Sequence, residues 1–231
     1  TSTGVLYMQL RFIHNVDVGF DTQNIIEMRI NPREQNGNDM LEEIKQLPMI
    51  KATTTASDYI VCKNITSFEE RVEWNGQTEE DKKSRFARLA LQNSGDKIFN
   101  FRLIEGRLFR EEDWVTNSNT PRNIFNSPIL NKIILTQSAV TAMRIEHPIG
   151  EIIRIPIGIF RKGDLEWHYS DYEIIGVVKD LYSQGMKTEV YPTIISQAHN
   201  WMQSINYFQV VPGTERNAIK AINELAQKHQ W

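Results

Sequence analysis

The chain has 231 residues, with 26 Lys and Arg against 29 Asp and Glu, for a formal net charge of −3. That balance excludes the basic footprint with which a nucleic-acid binder displaces phosphate counterions, and the one cysteine, Cys62, excludes an internal disulfide or a multi-cysteine zinc module. A folded chain of this size exposes about 11,000 Å² of the roughly 39,000 Å² of its extended form, so a core forms without any staple.

Length admits one large domain or two small ones. No basic segment followed by an apolar one opens the chain at Thr1. No run of about 18 apolar residues occurs either. Residues 190–214 lack Asp, Glu, Lys and Arg, but Gln197, His199, Asn200, Gln203, Ser204, Asn206 and Gln209 interrupt them. They read as two strands and a loop. With no initiator methionine, the chain is expected to be a piece of something longer.

Leu6, Leu10 and Ile13 fall at helical spacing and predict a helix to about His14, before Gly19 breaks the pattern. Residues 24–30 alternate, with Ile26, Met28 and Ile30 against Glu27 and Arg29, which predicts a half-buried strand. A turn-rich loop follows over 31–37. Asp39 and Glu42 form a capping-box pattern that opens a helix with Met40, Leu41, Ile44 and Leu47 on its apolar face, and Pro48 stops it. Residues 51–63 are rich in β-branched side chains and predict a second strand. About 20 residues separate the two strands, which suits a β–α–β crossover and not a hairpin.

Residues 64–95 are polar. A strand is expected over 71–74, ahead of an Asn75-Gly76 turn. Phe86, Leu89 and Ala90, with Glu79, Glu80 and Asp81 at the start and Arg85 and Arg88 further on, predict a helix over 79–93. Residues 98–109 alternate imperfectly, and 114–128 read as loop. A short buried strand is expected over 132–135. Thr136 then caps a helix to about Arg144, with Ala139, Val140 and Met143 inward. Residues 151–160 carry Ile153, Ile155, Ile157 and Ile159 on one strand face, 161–164 turn, and 167–179 return. Loop over 180–190, strands over 191–196 and 205–211, and a helix over 214–228 complete the chain. Ala218, Ile222, Leu225 and Ala226 line that helix, which Glu215 opens and Lys228 and His229 close. The sum is an α+β chain without repeats.

Catalytic signatures are lacking. No phosphate-binding loop, dinucleotide fingerprint, H-E-x-x-H or G-x-S-x-G occurs. Ser94 and Lys97 match S-x-x-K without its companion motifs, which reads as chance. Asp164, Glu166 and His168 alternate and would share one strand face, with Asp171 following. A divalent metal is the sharp reading of that pattern, and a solvated hairpin edge the bland one. Cys62 has no neighbouring histidine to make a thiolate and reads as structural. Asn64-Ile65-Thr66 is one glycosylation sequon. His14, His147, His168, His199 and His229 are dispersed. Tyr207 and Phe208 read as core, and Trp201 as an exposed loop residue. No catalytic, cofactor-binding or metal-binding residue is assigned.

Three segments carry a family resemblance. Leu103-Ile104-Glu105-Gly106-Arg107-Leu108-Phe109 is similar to an "l-x-E-G-R-x-F" segment. Residues 133–143, followed by His147-Pro148-Ile149-Gly150, are similar to "v-i-l-N-e-a-a-a-k-a-l-g…P-I-G", with Thr136 and Gln137 in place of Asn-Glu. Residues 172–180, with Tyr191-Pro192 downstream, are similar to "y-x-I-I-G-V-V-k-D-f…x-P". In this order they resemble the extracytoplasmic core domain of MacB/FtsX-type ABC transporter permeases, over about residues 24–228. The stretch 64–95 matches nothing in that pattern. Read physically, Gly106 sits at a turn with Arg107 available to a carboxylate, and Pro148 and Gly150 turn the chain. Gly176 marks a bulge or a close backbone approach.

The resemblance implies a non-catalytic, two-lobed α+β domain inserted between the first two membrane helices of a permease. A discontinuous membrane-proximal lobe would come from the β–α–β start and the β–β–α end, residues 1–95 and 184–231. A strand-rich lobe, residues 96–183, would be inserted in it. It further implies coupling of ATP hydrolysis on a cytoplasmic subunit to motion outside the membrane, a second permease copy, an envelope partner and no cofactor. Two other readings stand beside it: an extracytoplasmic metal-dependent enzyme using Asp164, Glu166, His168 or Asp171, and a ligand-sensing module with an enclosed apolar pocket.

Overall fold

The structure, a computed structural model, describes residues 11–12, 24–30, 36–57, 60, 68–92, 95–113, 131–161, 164–181, 190–197 and 205–230. The strands are β1 (Arg11–Phe12), β2 (Ile25–Arg29), β3 (Ile50–Ala56), β4 (Phe68–Glu69), β5 (Glu73–Trp74), β6 (Phe86–Leu91), β7 (Leu103–Gly106), β8 (Asn131–Thr136), β9 (Ile152–Arg161), β10 (Asp164–Val178), β11 (Thr193–Gln197) and β12 (Ile205–Val210). The helices are α1 (Gly37–Lys45), α2 (Gly95–Ile98), α3 (Gln137–Met143) and α4 (Glu215–Lys228).

The strands form one mixed sheet in the order β1-β2-β12-β3-β6-β11-β8-β10-β9-β5, with β4 added to β6 and β7 to β10. The expected β–α–β start is present in split form. β12 is antiparallel to both β2 and β3 and lies between them, so α1 crosses from one to the other over an inserted strand. β10 is shared. Its first part pairs with β9 as a long hairpin, and its second part lies parallel to β8 on one side and antiparallel to β7 on the other.

Alternation decides which side chains meet. Ile26 and Met28 on β2 and Phe208 and Val210 on β12 face α1 and α4, where Met40, Ile44, Ala218 and Ile222 close a first core. The opposite faces of the same strands carry Ile25, Ile205 and Tyr207 into a second cluster with Leu91, Phe99, Phe101, Ile134 and Val178. A third gathers Trp74, Phe86, Ile133, Leu135, Met143, Ile153 and Ile174 beneath α3. The result is a two-lobed α+β domain with a helix-backed core at each end and an apolar seam between them. The buried Tyr207 hydroxyl in the seam is satisfied on both sides: it donates to Glu27 at 2.9 Å and accepts the Ile60 N–H at 2.9 Å.

Several expectations change. Residues 79–93 are not a helix: a short 3-10 turn, Asp81–Lys83, leads into β6. Phe86, Ala87, Leu89, Ala90 and Leu91 are all buried, because β6 lies between neighbouring strands with both faces covered, and such a strand loses its alternation. The helix expected to about His14 is also corrected where it is described, since Arg11 and Phe12 pair with Glu27 and Ile26 as strand. α1 begins at Gly37, before Asp39, and no capping box forms. Asn36 is left-handed (φ 68°) and its side-chain amide donates to the His229 carbonyl at 3.1 Å instead. Residues 98–109 contribute only the short strand β7, after α2. The loop expected over 114–128 lies outside the described residues.

Candidate functional site

The second half of β10 is crowded from both sides, and the segments singled out in the sequence converge on it. Gly176 pairs with Gly106, Val177 with Glu105 and Val178 with Leu103, with a bulge in that ladder. Gly106 has φ +73°, a left-handed conformation that favours glycine. Added Cβ atoms would stand 2.3 Å from the Ile175 carbonyl oxygen at Gly106 and 2.2 Å from the Arg107 carbonyl oxygen at Gly176. Both glycines therefore serve one close backbone approach, fixed by the Arg107 N–H to Ile175 carbonyl bond at 2.9 Å.

From there the chain runs back as a strap over residues 107–113. Arg107 forks onto Asp113, with Nη2 to Oδ1 at 3.0 Å, and Asp113 also accepts the Arg110 N–H at 2.8 Å. Burial alone would raise the Asp113 carboxyl, but these donors outweigh it and hold the group below its ordinary value. The Gln197 side-chain amide donates to the Asp113 carbonyl, tying the strap to β11.

Asp96 on α2 holds the middle of the strap. It is fully buried, its Oδ2 accepts the Phe109 N–H at 2.9 Å, and Oδ1 has no hydrogen-bond partner among the described residues. Burial pushes this carboxyl up from its ordinary value, only partly offset by the Phe109 N–H.

The other quoted segment is tied in at the far edge of β10. Thr136 precedes α3, but its hydroxyl accepts the Thr193 N–H at 2.9 Å and joins β8 to β11, so it does not cap the helix. Asp180 takes that role, its Oδ1 accepting the Ser138 N–H at 2.7 Å. Pro148 is buried, and Gly150 (φ +89°) donates its N–H to the Ile174 carbonyl at 2.8 Å. These residues brace backbone at a joint between elements.

Of the residues weighed as metal ligands, the Asp164 side chain lies outside the described residues, and the other three do not converge. Strand alternation puts Glu166 and His168 on one face of β10 and Asp171 on the other. His168 Nε2 lies 3.4 Å from Glu166. Asp171 stands opposite Arg154, which also binds Glu73 at 2.8 Å and stacks on Tyr169 at 4.9 Å, so Asp171 belongs to a cross-strand charge ladder. Among the described residues, no group of three His, Cys, Asp or Glu side chains is placed to hold a metal ion. Lys97 is exposed on α2, and Ser94, Cys62, Asn64 and Trp201 lie outside the described residues. Tyr207 and Phe208 are core, as expected.

No family model matches the sequence, and a search of curated proteins finds no match. A solved structure does match. It is the extracellular domain of an ABC-type transporter. That domain belongs to the noncanonic transporter YknZ from Gram-positive bacteria, and it superimposes with a TM-score of 0.52 over 90% of this chain and 95% of its own. At 12% identity the likeness to the YknZ domain is one of fold. Among the described residues, no helix is long and apolar enough to cross a membrane.

The strap's acids were missed at the sequence level. Asp96 was passed over inside the Ser94–Lys97 match, and Asp113 inside an acidic run, Glu111-Glu112-Asp113. Asp180 was visible only as the last residue of a quoted segment.

Proposed function

We propose that this chain is a non-catalytic extracytoplasmic domain of an ABC transporter permease. In this reading it couples ATP hydrolysis on a cytoplasmic subunit to motion that acts on an exported substrate or envelope partner. The observation that carries the proposal is the shared fold with a transporter extracellular domain, end to end over nearly both chains. The three sequence segments that resemble MacB/FtsX-type permeases add support, because they meet at one braced joint around Gly106, Gly176 and Asp180. A domain that transmits force needs rigid joints of this kind more than it needs a pocket.

The lobe division belongs to the same proposal: residues 1–95 with 184–231 as the membrane-proximal lobe and 96–183 as the inserted one. In this reading the two lobes meet where Leu89, Leu91 and Ile195 on β6 and β11 pack in one cluster with Ile134, Ile175 and Val178. A cytoplasmic ATPase, reached through membrane helices, and a second permease copy are the partners this reading requires, with the domain outside the inner membrane.

The test is topological. The full gene product, tagged on this domain and expressed in its host, should fractionate with the membrane. Protease added to intact spheroplasts should cleave the domain. A domain recovered in the soluble cytoplasmic fraction, or protected until the membrane is lysed, overturns the proposal.

A further inference from the structure

Burial seats α4 on the first core through Ala218, Ile222 and Ala226, but Gln227, Lys228, His229 and Gln230 follow, and none of them is apolar. Gln230 is left-handed (φ 54°) and ends the helix. The last turn of α4 is held by polar ties instead, and α1 supplies them. Glu43 gathers two basic side chains: Lys228 Nζ lies 2.8 Å from Oε1 and 2.7 Å from Oε2, and His229 Nε2 lies 3.1 Å from Oε1. The Lys228 ammonium above all, with His229 adding to it, holds the Glu43 carboxyl below its ordinary value. Asn36 Nδ2 donates to the His229 carbonyl at 3.1 Å, at a helix end whose carbonyls lack partners within the helix. Asn36 and Glu43 stand about 10 Å apart along α1. The end of α4 is therefore fastened at two separate points, by side chains at one and through its backbone at the other.

α1 is itself well anchored. Met40, Leu41 and Ile44 are buried, packed with Ile26 and Met28 on β2 and Phe208 and Val210 on β12. The Ile50 N–H donates to the Leu47 carbonyl at 2.9 Å and leads the chain directly into β3. A load at the exit of α4 thus has a route through α1 into the sheet. Without the ties the load would meet a bare last turn, and helix ends are the first parts of a fold to fray. A single exposed ion pair contributes little, but several charges on one carboxylate, with one ammonium on both oxygens, act as a network.

We propose that Asn36, Glu43, Lys228 and His229 form a mechanical clasp. It keeps α4 from peeling away under load and passes force at its exit into α1 and the sheet. The source of that force rests on the permease reading above. The clasp itself is a property of the folded domain.

An optical trap tests it on the 231-residue chain with Cys62→Ser. One handle is attached at Asn75→Cys, in the exposed turn after β5, and the other at a tag fused to the C-terminus. Glu43→Lys should release α4 at least about fivefold faster than the parent at a fixed force. Asn36→Ala should act in the same direction. Glu43→Lys combined with Lys228→Glu should restore the slow release. Glu224→Ala, which removes the Lys220–Glu224 pair within α4, should leave it unchanged. Steps that release the sheet should be alike in all the variants. Equal release of α4 from the parent and Glu43→Lys overturns the proposal. So does a charge swap that restores nothing, or a fall in the force of every step alike, because Glu43 would then serve overall stability. Failure of the topology test would remove the source of force and leave the clasp standing, whereas equal release rates would remove the clasp and leave the topology.

Discussion

Gly106 and Gly176 face each other across the β7–β10 ladder, and neither has room for a methyl group. The two differ in one respect. Gly106 is left-handed at φ +73°, whereas no positive φ accompanies Gly176, so substitution at Gly176 probes the steric approach alone. Gly176→Ala should cost about 2 kcal/mol or more, since the clashing atom is backbone and cannot rotate away. Gly106→Ala should cost more, because a left-handed alanine adds roughly 1–2 kcal/mol. Gly150→Ala is the control. Its φ is +89° but nothing lies within 4 Å, so only the conformational part remains. Urea midpoints ranked Gly150→Ala, Gly176→Ala, Gly106→Ala from highest to lowest would bear this out, and an unperturbed Gly176→Ala would contradict it.

The placement of β6 gives a second prediction. Phe86 is fully buried beneath Trp74, ring centroids 5.7 Å apart and nearly perpendicular, and Trp74 Nε1 in turn donates to the Met143 carbonyl at 2.9 Å. Phe86→Ala should therefore cost about 3–5 kcal/mol in chemical denaturation. Lys83→Ala, on the exposed turn just before, should stay within about 0.5 kcal/mol. A helix over 79–93 with one apolar side would leave Ala87 and Leu91 more exposed. Protection of the Ala87 and Leu91 amides from exchange, to the level of global unfolding, distinguishes the strand.

These two cases mark how far the fold was legible. β2 and β9 were readable because Glu27 and Arg29, and Arg154, alternate with isoleucine and methionine in the sequence, although β2 like β12 is buried on both faces, and α4 was readable with Ala218, Ile222 and Ala226 inward. β6 was not, because Phe86, Leu89 and Ala90 satisfy a helical spacing by coincidence in a strand buried on both sides. The α1 start was misread because Asn36 spends its side chain on His229, nearly two hundred positions away, a contact no local pattern encodes. The glycines of the joint were legible as glycines in apolar strands. Their acidic braces were not, since a buried aspartate and a solvated one look alike in sequence.

Arg107 and Asp113 offer a test of the strap. The Asp113 side chain is almost closed to solvent while Arg107 is partly open, so removing the arginine strands a buried carboxylate. Arg107→Ala should cost about 2 kcal/mol, and Arg107→Lys should recover only part of it, because an ammonium cannot fork onto both oxygens. The pH dependence has a definite sign. The folded value of Asp113 lies below its unfolded value, so its contribution is present above the unfolded value and is lost as pH falls through the folded one. Acid unfolding of Arg107→Ala should therefore show a weaker loss between about pH 5 and pH 2 than the parent chain does. Identical acid profiles would remove the pair from the strap's stability.

Asp96 should behave in the opposite sense. Its folded value lies above the unfolded one, first because burial disfavours the charged form and despite the Phe109 N–H that favours it. Its contribution is then fully present below the unfolded value, about 3.9, and is lost as pH rises through the raised folded value. Asp96→Asn keeps an acceptor for Phe109 and carries no charge at any pH. Relative to the parent chain, the variant should therefore gain stability steadily as pH rises from about 4, and the gain should level off once the parent carboxyl is ionised in both states. Asp96→Ala, which is also uncharged but leaves the Phe109 N–H without an acceptor, should follow the pH profile of the Asn variant from about 1–3 kcal/mol below it. Melting temperatures of the three proteins from pH 4 to pH 8 separate these outcomes. A constant offset between the Asn variant and the parent would mean that the Asp96 carboxyl titrates alike in the folded and unfolded chains.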